Sequence, residues 1–436
     1  MGRSANGRVK WGNVRMGDKI ASLMPSPPPP GARRAAVAFI LITITLDILA
    51  LGMIAPVLPQ LVKEFEGGDT AAAARMIGIF GSVWATMQFL VSPTLGALSD
   101  HVGRRRIVLL SNFGLGLDYI FMALAPSLGW LFVGRLISGM TAASIPTAFA
   151  YIADVTPPEK RARSYGLIGA AFGIGFIFGP VVGGVLGHYG PRLPFWFAAG
   201  LSLTNAMYGL FVLPESLPPD RRSALDWRRA NPVGSLGLLR RHPQLIGFAS
   251  VHFLYFMAQQ SLQTVFVLYA GYRYGWDERA VGLCLGVVGV SVALVQGALV
   301  GRVVHRFGER RAIITGLTLG AVGFVMYGLA PTGAWFVASV PVMSFFGLYG
   351  PSAQSLMTKL VSPSEQGKLQ GALTSVTSIT GIIGPSIFSF AFAAFIGSLS
   401  SWHLPGAPFI LAGSCLFTAM LISERITRRV PVRAVA

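Results

Sequence analysis

Long apolar stretches separated by short polar turns make up most of this 436-residue chain. A helix needs about twenty apolar residues to cross roughly 30 Å of hydrocarbon, and only helices or closed barrels satisfy their own backbone groups there. The stretches have the length of helices. The pattern predicts twelve membrane-spanning helices, at residues 35–58, 76–98, 107–125, 130–152, 164–187, 193–214, 245–270, 280–303, 312–330, 334–358, 369–396 and 405–423.

An internal repeat divides these helices into two groups of six. The charged turn from Gly96 to Arg106 recurs in weaker form 205 positions later, and the same shift carries Gly179-Pro180 onto Gly384-Pro385. Two separate landmarks with one offset indicate a tandem duplication. In the second turn, Gly301, His305, Gly308, Arg310 and Arg311 replace Gly96, Asp100, Gly103, Arg105 and Arg106.

The expected architecture is an all-α integral membrane protein with two pseudo-symmetric six-helix halves. Residues 35–214 and 245–423 form the halves, and residues 215–244, rich in proline and arginine, form a cytoplasmic linker. Residues 1–34 are predicted to be a disordered basic tail and residues 424–436 a second cytoplasmic tail.

Composition and charge agree with a bilayer protein. Hydrophobic residues make up 53% of the chain, charged residues 12%, and the mean hydropathy is +0.61. The net charge of +18 does not indicate a nucleic-acid partner, because 29 of the 35 lysines and arginines lie in the loops on the side of the termini and no basic cluster is interleaved with aromatic residues. The positive-inside rule then predicts cytoplasmic termini, with some affinity for anionic lipids.

Three charged residues are predicted to lie deep inside spans: Asp47, Asp118 and Arg135. A charge at this depth is costly unless it is paired or faces water, so each is a functional candidate. An aspartate whose arginine partner is present in one conformation and absent in another would bind and release a proton as the protein moves. The alternative is a permanent salt bridge between Asp118 and Arg135.

The 205-residue offset adds a fourth proton-coupling candidate, because it maps Asp47 onto His252 in helix seven. It also maps Asp118 onto Gly323 and Asp154 onto Lys359, so acidic chemistry is expected in the first half and substrate contacts mainly in the second. A cluster of nucleophile, base or metal ligands is not visible, so no enzyme, metal or cofactor is expected. The two cysteines, Cys284 and Cys415, lie within spans and are expected to pack there. Polar residues available to line a cavity are Gln88, Gln260, Gln263, Gln296, Tyr349 and Gln354.

The turn Gly-x-Leu-Ser-Asp-x-x-Gly-Arg-Arg resembles the hallmark loop of the major facilitator superfamily. The resemblance implies a cytoplasmic gate in which the aspartate and the following arginines meet an acidic residue, Asp154, at the end of helix four. The alternative is that these charges only set topology. Since the second half has His305 and Lys359 instead of the two aspartates, the latch is expected to be one-sided. Its residues are Gly96, Asp100, Gly103, Arg104, Arg105 and Asp154.

Helix five contains Gly175, Gly179, Pro180, Gly183 and Gly184. Glycines four residues apart share one helix face and allow close approach of a neighbour, while the proline allows a bend. This stretch resembles the glycine-proline signature of the drug/proton antiporters within the superfamily.

Further stretches between residues 35 and 423 resemble the tetracycline-resistance branch of those antiporters. They include Leu46-Asp47, Leu117-Asp118-Tyr119, residues 134–139 (GRLISG), residues 273–276 (RYGW) and residues 370–373 (QGAL). The resemblance implies that Asp47, Asp118 and Arg135 are essential charges and that Gln88 and Gln260 match glutamines of that branch. A histidine and an aspartate of that branch are replaced here by Val292 and about Gly320, which makes tetracycline itself doubtful as substrate.

The sequence therefore predicts a monomeric, proton-coupled antiporter that exports a small, partly apolar organic compound by alternating access. Two rivals are open at this point: a proton-coupled uptake symporter for a metabolite, and a membrane receptor or enzyme that has kept the fold without transport.

Overall fold

The computed structural model of the protein describes residues 30–142, 144–223, 243–362 and 365–428. Every regular element in these ranges is helical. Most of the predicted first tail, the linker from residue 224 to 242 and the last eight residues lie outside the described residues.

The first half contains eight helices. The first crossing, α1, is followed by a short continuation, α2, and the fourth crossing is interrupted between α5 and α6. These helices are α1 Pro30–Ile54, α2 Leu58–Phe65, α3 Thr70–Val102, α4 Arg104–Ala123, α5 Leu128–Thr141, α6 Ser144–Val155, α7 Pro158–Tyr189 and α8 Leu193–Val212.

The second half repeats this order with seven helices. A π-helical turn, Val295–Leu299, joins α10 to α11, and a 3-10 turn, Phe345–Leu348, joins α12 to α13. The helices are α9 Pro243–Tyr274, α10 Glu278–Leu294, α11 Val300–Leu329, α12 Gly333–Ser344, α13 Tyr349–Thr358, α14 Gln366–Ile396 and α15 Ala407–Arg428, with two more 3-10 turns at Pro219–Arg221 and Ser400–Trp402.

The helix count is consistent with twelve crossings. In the described ranges, ten helical segments are long and apolar enough to cross a membrane. One of them, Glu278–Leu329, is 52 residues long and breaks at Gly308, so it supplies two crossings. The remaining crossing is α9, which is 32 residues long but more polar, with His252 and Gln260 among its residues. Several boundaries differ from the prediction: α1 begins at Pro30, α3 at Thr70 and α7 at Pro158, and α15 continues to Arg428.

The two charged turns have the same backbone geometry. Gly103, at the junction of α3 and α4, has φ of 109°, and Gly308, at the corresponding break in α11, has φ of 80°. Both values lie in the left-handed region that favours glycine. The internal repeat therefore extends from sequence to backbone conformation at this point.

Among the described residues, the halves meet chiefly through two helix pairs, α3 with α14 and α7 with α10. The 205-residue offset relates one pair to the other. Ser82 Oγ lies 2.8 Å from Ser386 Oγ, and a Cβ on Gly81 would lie 2.8 Å from Cβ of Pro385. In the second pair, a Cβ on Gly282 would lie 3.0 Å from Cα of Gly184.

These contacts lie away from the charged turns. Gly184 and Gly282 belong to the ends of α7 and α10 opposite the turn at Gly103, whereas a Cβ on Gly96, near that turn, would meet nothing within 4 Å. Among the described residues, the halves are therefore packed together on the side opposite the charged turns and separated on the turn side.

Candidate functional site

Asp47 lies buried in the middle of α1 and is held by a neighbour from the fourth crossing. The helix break between α5 and α6 places Ser144 at the start of α6, where its hydroxyl donates to Asp47 Oδ2. The other carboxylate oxygen, Oδ1, is buried and has no hydrogen-bond partner among the described residues. Asp47 is therefore only partly satisfied in this conformation.

Asp118 and Arg135 face each other from α4 and α5 without forming an ion pair within 4.0 Å. Both Asp118 oxygens are buried and have no partner with hydrogen-bond geometry in the part of the chain that the structure describes, although the Ser138 hydroxyl on α5 lies beside the carboxylate. The Arg135 guanidinium instead donates through Nη2 to Met122 Sδ, at 2.9 Å. A permanent salt bridge between Asp118 and Arg135 is thus not present in this conformation.

The three intramembrane charges are brought together around one side chain, Tyr119. This tyrosine is buried on α4 and lies within electrostatic range of Asp47, Asp118 and Arg135. The fold therefore gathers residues from the first, third and fourth crossings into one polar region, as their similar depth in the sequence predicts.

His252 on α9 lies in an aromatic environment of the second half. Its Nε2 is 3.1 Å from Thr377 Oγ1, and its ring lies 4.6 Å from that of Phe256. Its Nδ1 is buried, with no partner found in the described ranges. The predicted position opposite Asp47 stays a prediction.

The predicted substrate residues are spread over several crossings. Gln260 packs against Gly384, Gln296 lies in the π-helical turn beside Gly347, and Tyr349 stacks near Tyr255 with ring centroids 4.3 Å apart. The Tyr349 hydroxyl is buried and unpartnered among the described side chains. Of the remaining residues, Gln88 and Gln354 are half-buried, and Gln263 is exposed on α9. Their gathering around one substrate is not tested by these contacts.

The charged turn of the first half forms a compact network. Arg104 pairs with Asp100 across the break at Gly103, and its Nε lies 3.2 Å from Asp154 Oδ2 at the end of α6. The same guanidinium donates to Ser99 Oγ at 2.7 Å. Arg105 donates to the carbonyl of Leu210. The structure thus brings the third and fourth crossings together through Arg104.

Glu215 is a member of this network that the sequence interpretation assigned to the linker. Its Oε1 accepts from the backbone N–H of Arg104 at 2.9 Å, and from those of Arg105 and Leu217 at 3.4 and 3.1 Å. A carboxylate at a helix N-terminus satisfies free N–H groups and complements the helix dipole. A Cβ on Gly103 would meet this carboxylate, and the φ of 109° there favours glycine by itself.

The second half has its own charged pair, so ion pairing at the charged turns is not confined to the first half, and the one-sided latch stays a prediction. Lys359 at the end of α13 donates to Glu309, which follows the break at Gly308, and Ser355 Oγ donates to the same carboxylate at 3.1 Å. The hydrogen bond from Lys359 lowers the pKa of Glu309, which lies in the turn between two spans. The offset that maps Asp154 onto Lys359 also maps Arg104 onto Glu309. The ion pair is therefore kept with its polarity reversed, and the offset points to it once Arg104 is seen to pair with Asp154.

The glycine-rich face of α7 contacts two different helices. A Cβ on Gly175, Gly179 or Gly183 would meet α1 within the first half. Gly184 points to α10 in the second half instead, against Glu278 and Gly282. Pro180 belongs to the same contact, because its carbonyl oxygen lies where a Cβ on Gly282 would sit. The motif thus serves packing inside one half and contact between the halves.

Other chemistry is sparse in the described residues. No group of three or more His, Cys, Asp or Glu side chains there is placed to hold a metal ion. Cys284 is buried and Cys415 is partly buried, and both are free thiols.

The helix arrangement and its charges define a class of membrane transporter with two six-helix halves. The family model described as Major Facilitator Superfamily matches residues 40–385 and 248–434. Tetracycline resistance protein, class C, from Escherichia coli is 38% identical over 391 residues, covering 89% of this chain and 96% of that protein. The class E protein from the same species is 37% identical, covering 84% and 90%.

Solved structures agree on the fold. The nucleoside transporter NupG matches with a TM-score of 0.74 at 14% identity, covering 90% of this chain and 99% of that one. The human organic anion transporter MFSD10 matches with a TM-score of 0.67 at 24% identity, covering 91% and 100%.

The chain belongs to the major facilitator superfamily, in the group of the tetracycline-resistance proteins. The predicted fold is confirmed, and so is the predicted class, a multi-pass membrane transporter of the drug-exporting kind whose substrate is a small molecule.

Proposed function

We propose that this protein is a proton-coupled antiporter that exports a small, partly apolar drug, tetracycline-like or other, from a bacterial cell. The observation that carries the proposal is the cluster of Asp47, Asp118 and Arg135 around Tyr119, because buried carboxylates with incomplete hydrogen bonding suit reversible proton binding. The names of its relatives, tetracycline resistance proteins, support a drug as the substrate.

The coupling of transport to protons follows from the incomplete hydrogen bonding of Asp47 and Asp118. Asp118 has a cation nearby that does not pair with it, and Asp47 has one free oxygen. A movement of α5 relative to α4 that brought Arg135 to Asp118 would favour the ionised carboxylate and release its proton. The reverse movement would favour proton uptake. His252 is proposed as a second protonatable group of the same cycle.

Alternating access would use the contacts between the halves. With both termini in the cytoplasm, the packed side is the outer one and the conformation is open to the cytoplasm. Closure on the cytoplasmic side would act on the turn held by Arg104, Asp154 and Glu215 and on its polarity-reversed counterpart, Glu309 with Lys359. We expect a monomer in the bacterial inner membrane, in contact with anionic lipids, with Gln88, Gln260, Gln263, Gln296, Tyr349 and Gln354 as substrate contacts.

The test is proton release from purified protein in weakly buffered detergent solution when tetracycline or other candidate drugs are added. The parent should release protons on binding its drug, and Asp47→Asn should lose at least half of the signal. Asp220→Asn, which alters a carboxylate in the linker, is the matched control and should behave like the parent. A drug that binds without releasing protons, or an Asp47→Asn variant identical to the parent, would show that antiport through Asp47 is wrong.

A further inference from the structure

Four polar side chains on three helices of the first half lie at one interface without the hydrogen bonds that their burial calls for. They are Thr43 on α1, Asn112 on α4, and Ser202 and Asn205 on α8, and each is 1% exposed or less. In the described part of the chain, both amide atoms of Asn112, Oδ1 of Asn205, and the hydroxyl oxygens of Thr43 and Ser202 have no partner.

These hydroxyls differ from several others in the spans. Thr45, two residues from Thr43, donates to the carbonyl of Leu41 at 2.8 Å, and Thr86 and Thr141 donate to carbonyls one turn before them in the same way. Such back-bonding satisfies a hydroxyl inside a helix without outside help. Thr43 and Ser202 do not use it, so their oxygens remain available to another group.

The packing of α4 against α8 places these residues together. A Cβ on Gly116 would meet the side chain of Leu203, and a Cβ on Gly209 would meet that of Leu109. Asn112 lies between Leu109 and Gly116 on the same face of α4, so the antiparallel register sets it within about one helical turn of Asn205 along the interface. Asn205 Nδ2 in turn donates to the carbonyl oxygen of Thr43 at 2.9 Å, which connects α8 to α1.

The second half provides an internal comparison. The 205-residue offset maps Thr43, Asn112, Ser202 and Asn205 onto four apolar residues, Phe248, Leu317, Ala407 and Ile410. The fold therefore does not require polar groups at these places. They occur in the half that contains Asp47 and Asp118, and Thr43 lies one helical turn from Asp47, on the same face of α1.

We propose that Thr43, Asn112, Ser202 and Asn205 form a buried water-binding site beside Asp47, and that its water completes the hydrogen-bonded path by which Asp47 exchanges its proton. Five free polar atoms exceed the two to four partners that a buried water typically uses. Water bonded to protein groups gives a proton a route through an otherwise apolar helix interface. The site rests on the proposed role of Asp47 as a proton carrier.

Titratable groups on the helices around Asp47 must be considered in any pH-dependent readout. In the described ranges they include Asp118 and Tyr119 on α4, Arg135 on α5, Tyr151 on α6, Tyr165 on α7 and Tyr208 on α8, and at the helix ends Arg104, Arg105 and Arg106 on α4, Asp154 on α6 and His188 on α7. The test therefore leaves all of them unchanged and replaces only groups that do not titrate.

The experiment records infrared difference spectra of purified protein between two pH values, in ordinary and in oxygen-18 water. An internal water is identified by the isotope shift of its O–H stretching band. The parent and the control Thr45→Val should show this band, and Thr43→Val and the double variant Asn112→Leu/Asn205→Ile should lose it. The double variant copies the packing of the second half, and Ser202→Ala serves as a smaller change if it does not fold.

Proton release after drug addition is measured on the same variants. We expect it to be at least tenfold slower in Thr43→Val than in Thr45→Val, with drug binding unchanged. An isotope-shifted band that is missing in the parent, or that persists in the double variant, would overturn the water site. If the band behaves as expected but no drug releases protons from the parent, the proposed function fails and the water site stands.

Discussion

Gly184 on α7 is the position where one added methyl group should shift the balance between the two faces of the transporter. A Cβ there would press on the carbonyl oxygen of Glu278 and lie 2.9 Å from Cα of Gly282. Since the obstacles are backbone atoms of α10, the helices must move apart rather than adjust a side chain. Gly184→Ala should therefore penalise the conformation in which α7 and α10 touch.

The size of the effect follows from overpacking, which costs about 1–3 kcal/mol. If the penalty falls only on the conformation with packed α7 and α10, the population ratio moves about 5- to 150-fold toward the opposite conformation. Gly173→Ala is the matched control, because a Cβ on Gly173 of the same helix would meet nothing within 4 Å. Both changes raise helix propensity by about 1 kcal/mol, so that contribution cancels.

The assay is labelling of a reporter cysteine at Ser386, half-buried where α14 meets α3. Cys284 and Cys415 are first replaced by alanine, and a membrane-impermeant maleimide is added outside intact cells. Labelling should be at least fivefold faster with Gly184→Ala and unchanged with Gly173→Ala. Equal rates in the parent and Gly184→Ala, with normal expression of both, would refute the assignment of this contact to the closed outer side.

Three further predictions concern the contacts at the two ends of the molecule. Oxidation of Ser82→Cys/Ser386→Cys should join the halves and stop transport, and a reductant should restore it, because the two hydroxyl oxygens are 2.8 Å apart. Glu309→Lys and Lys359→Glu should each lower thermal stability, because each places two like charges together. The double variant restores an ion pair with reversed polarity and should recover the loss, with a coupling energy of about 0.5 kcal/mol for this partly exposed pair. Gly103→Ala should destabilise the protein by about 2 kcal/mol in thermal unfolding, from left-handed backbone strain together with the collision with Glu215.

Each of these predictions has a control variant, or an expected direction of change, that distinguishes the specific effect from a general loss of folding. The single variants Ser82→Cys and Ser386→Cys should transport under the same oxidant. Since Lys359 lowers the pKa of Glu309, stabilisation by this pair is present at neutral pH and is lost as the pH falls through the lowered value. Gly308→Ala has the same backbone strain but no neighbour within 4 Å, so it should cost less than Gly103→Ala. An equal loss in both would argue against the collision with Glu215.

The positions of the crossings could be read from the sequence, but several of their interruptions could not. The apolar pattern shows neither the break between Thr141 and Ser144 nor the π-helical turn that contains Gln296. It also does not show that α15 continues to Arg428. Hydropathy reports the preference of each residue for the bilayer and averages over turns. It does not register a local change of helix type.

The intramembrane charges, too, could be located from the sequence, whereas their partners needed the structure. Asp47, Asp118 and Arg135 could be singled out because a charge in an apolar run is rare and costly whatever surrounds it. Their partners could not, because the choice among Ser144, Met122 and a salt bridge depends on how neighbouring helices are rotated. The internal repeat alone does not predict the ion pair between Glu309 and Lys359. The 205-residue offset points to this pair only after the structure has shown that Arg104 bonds Asp154.

The sequence by itself determined that this chain crosses a membrane in two related halves and which residues carry its intramembrane charge, because transfer into hydrocarbon is a local property of each segment. Only the tertiary structure decided which side of the molecule is packed, which acids are left without partners and where a second charged pair lies. Those outcomes depend on contacts such as that of Gly184 with Gly282 and that of Asn205 with Thr43, between residues far apart in the chain.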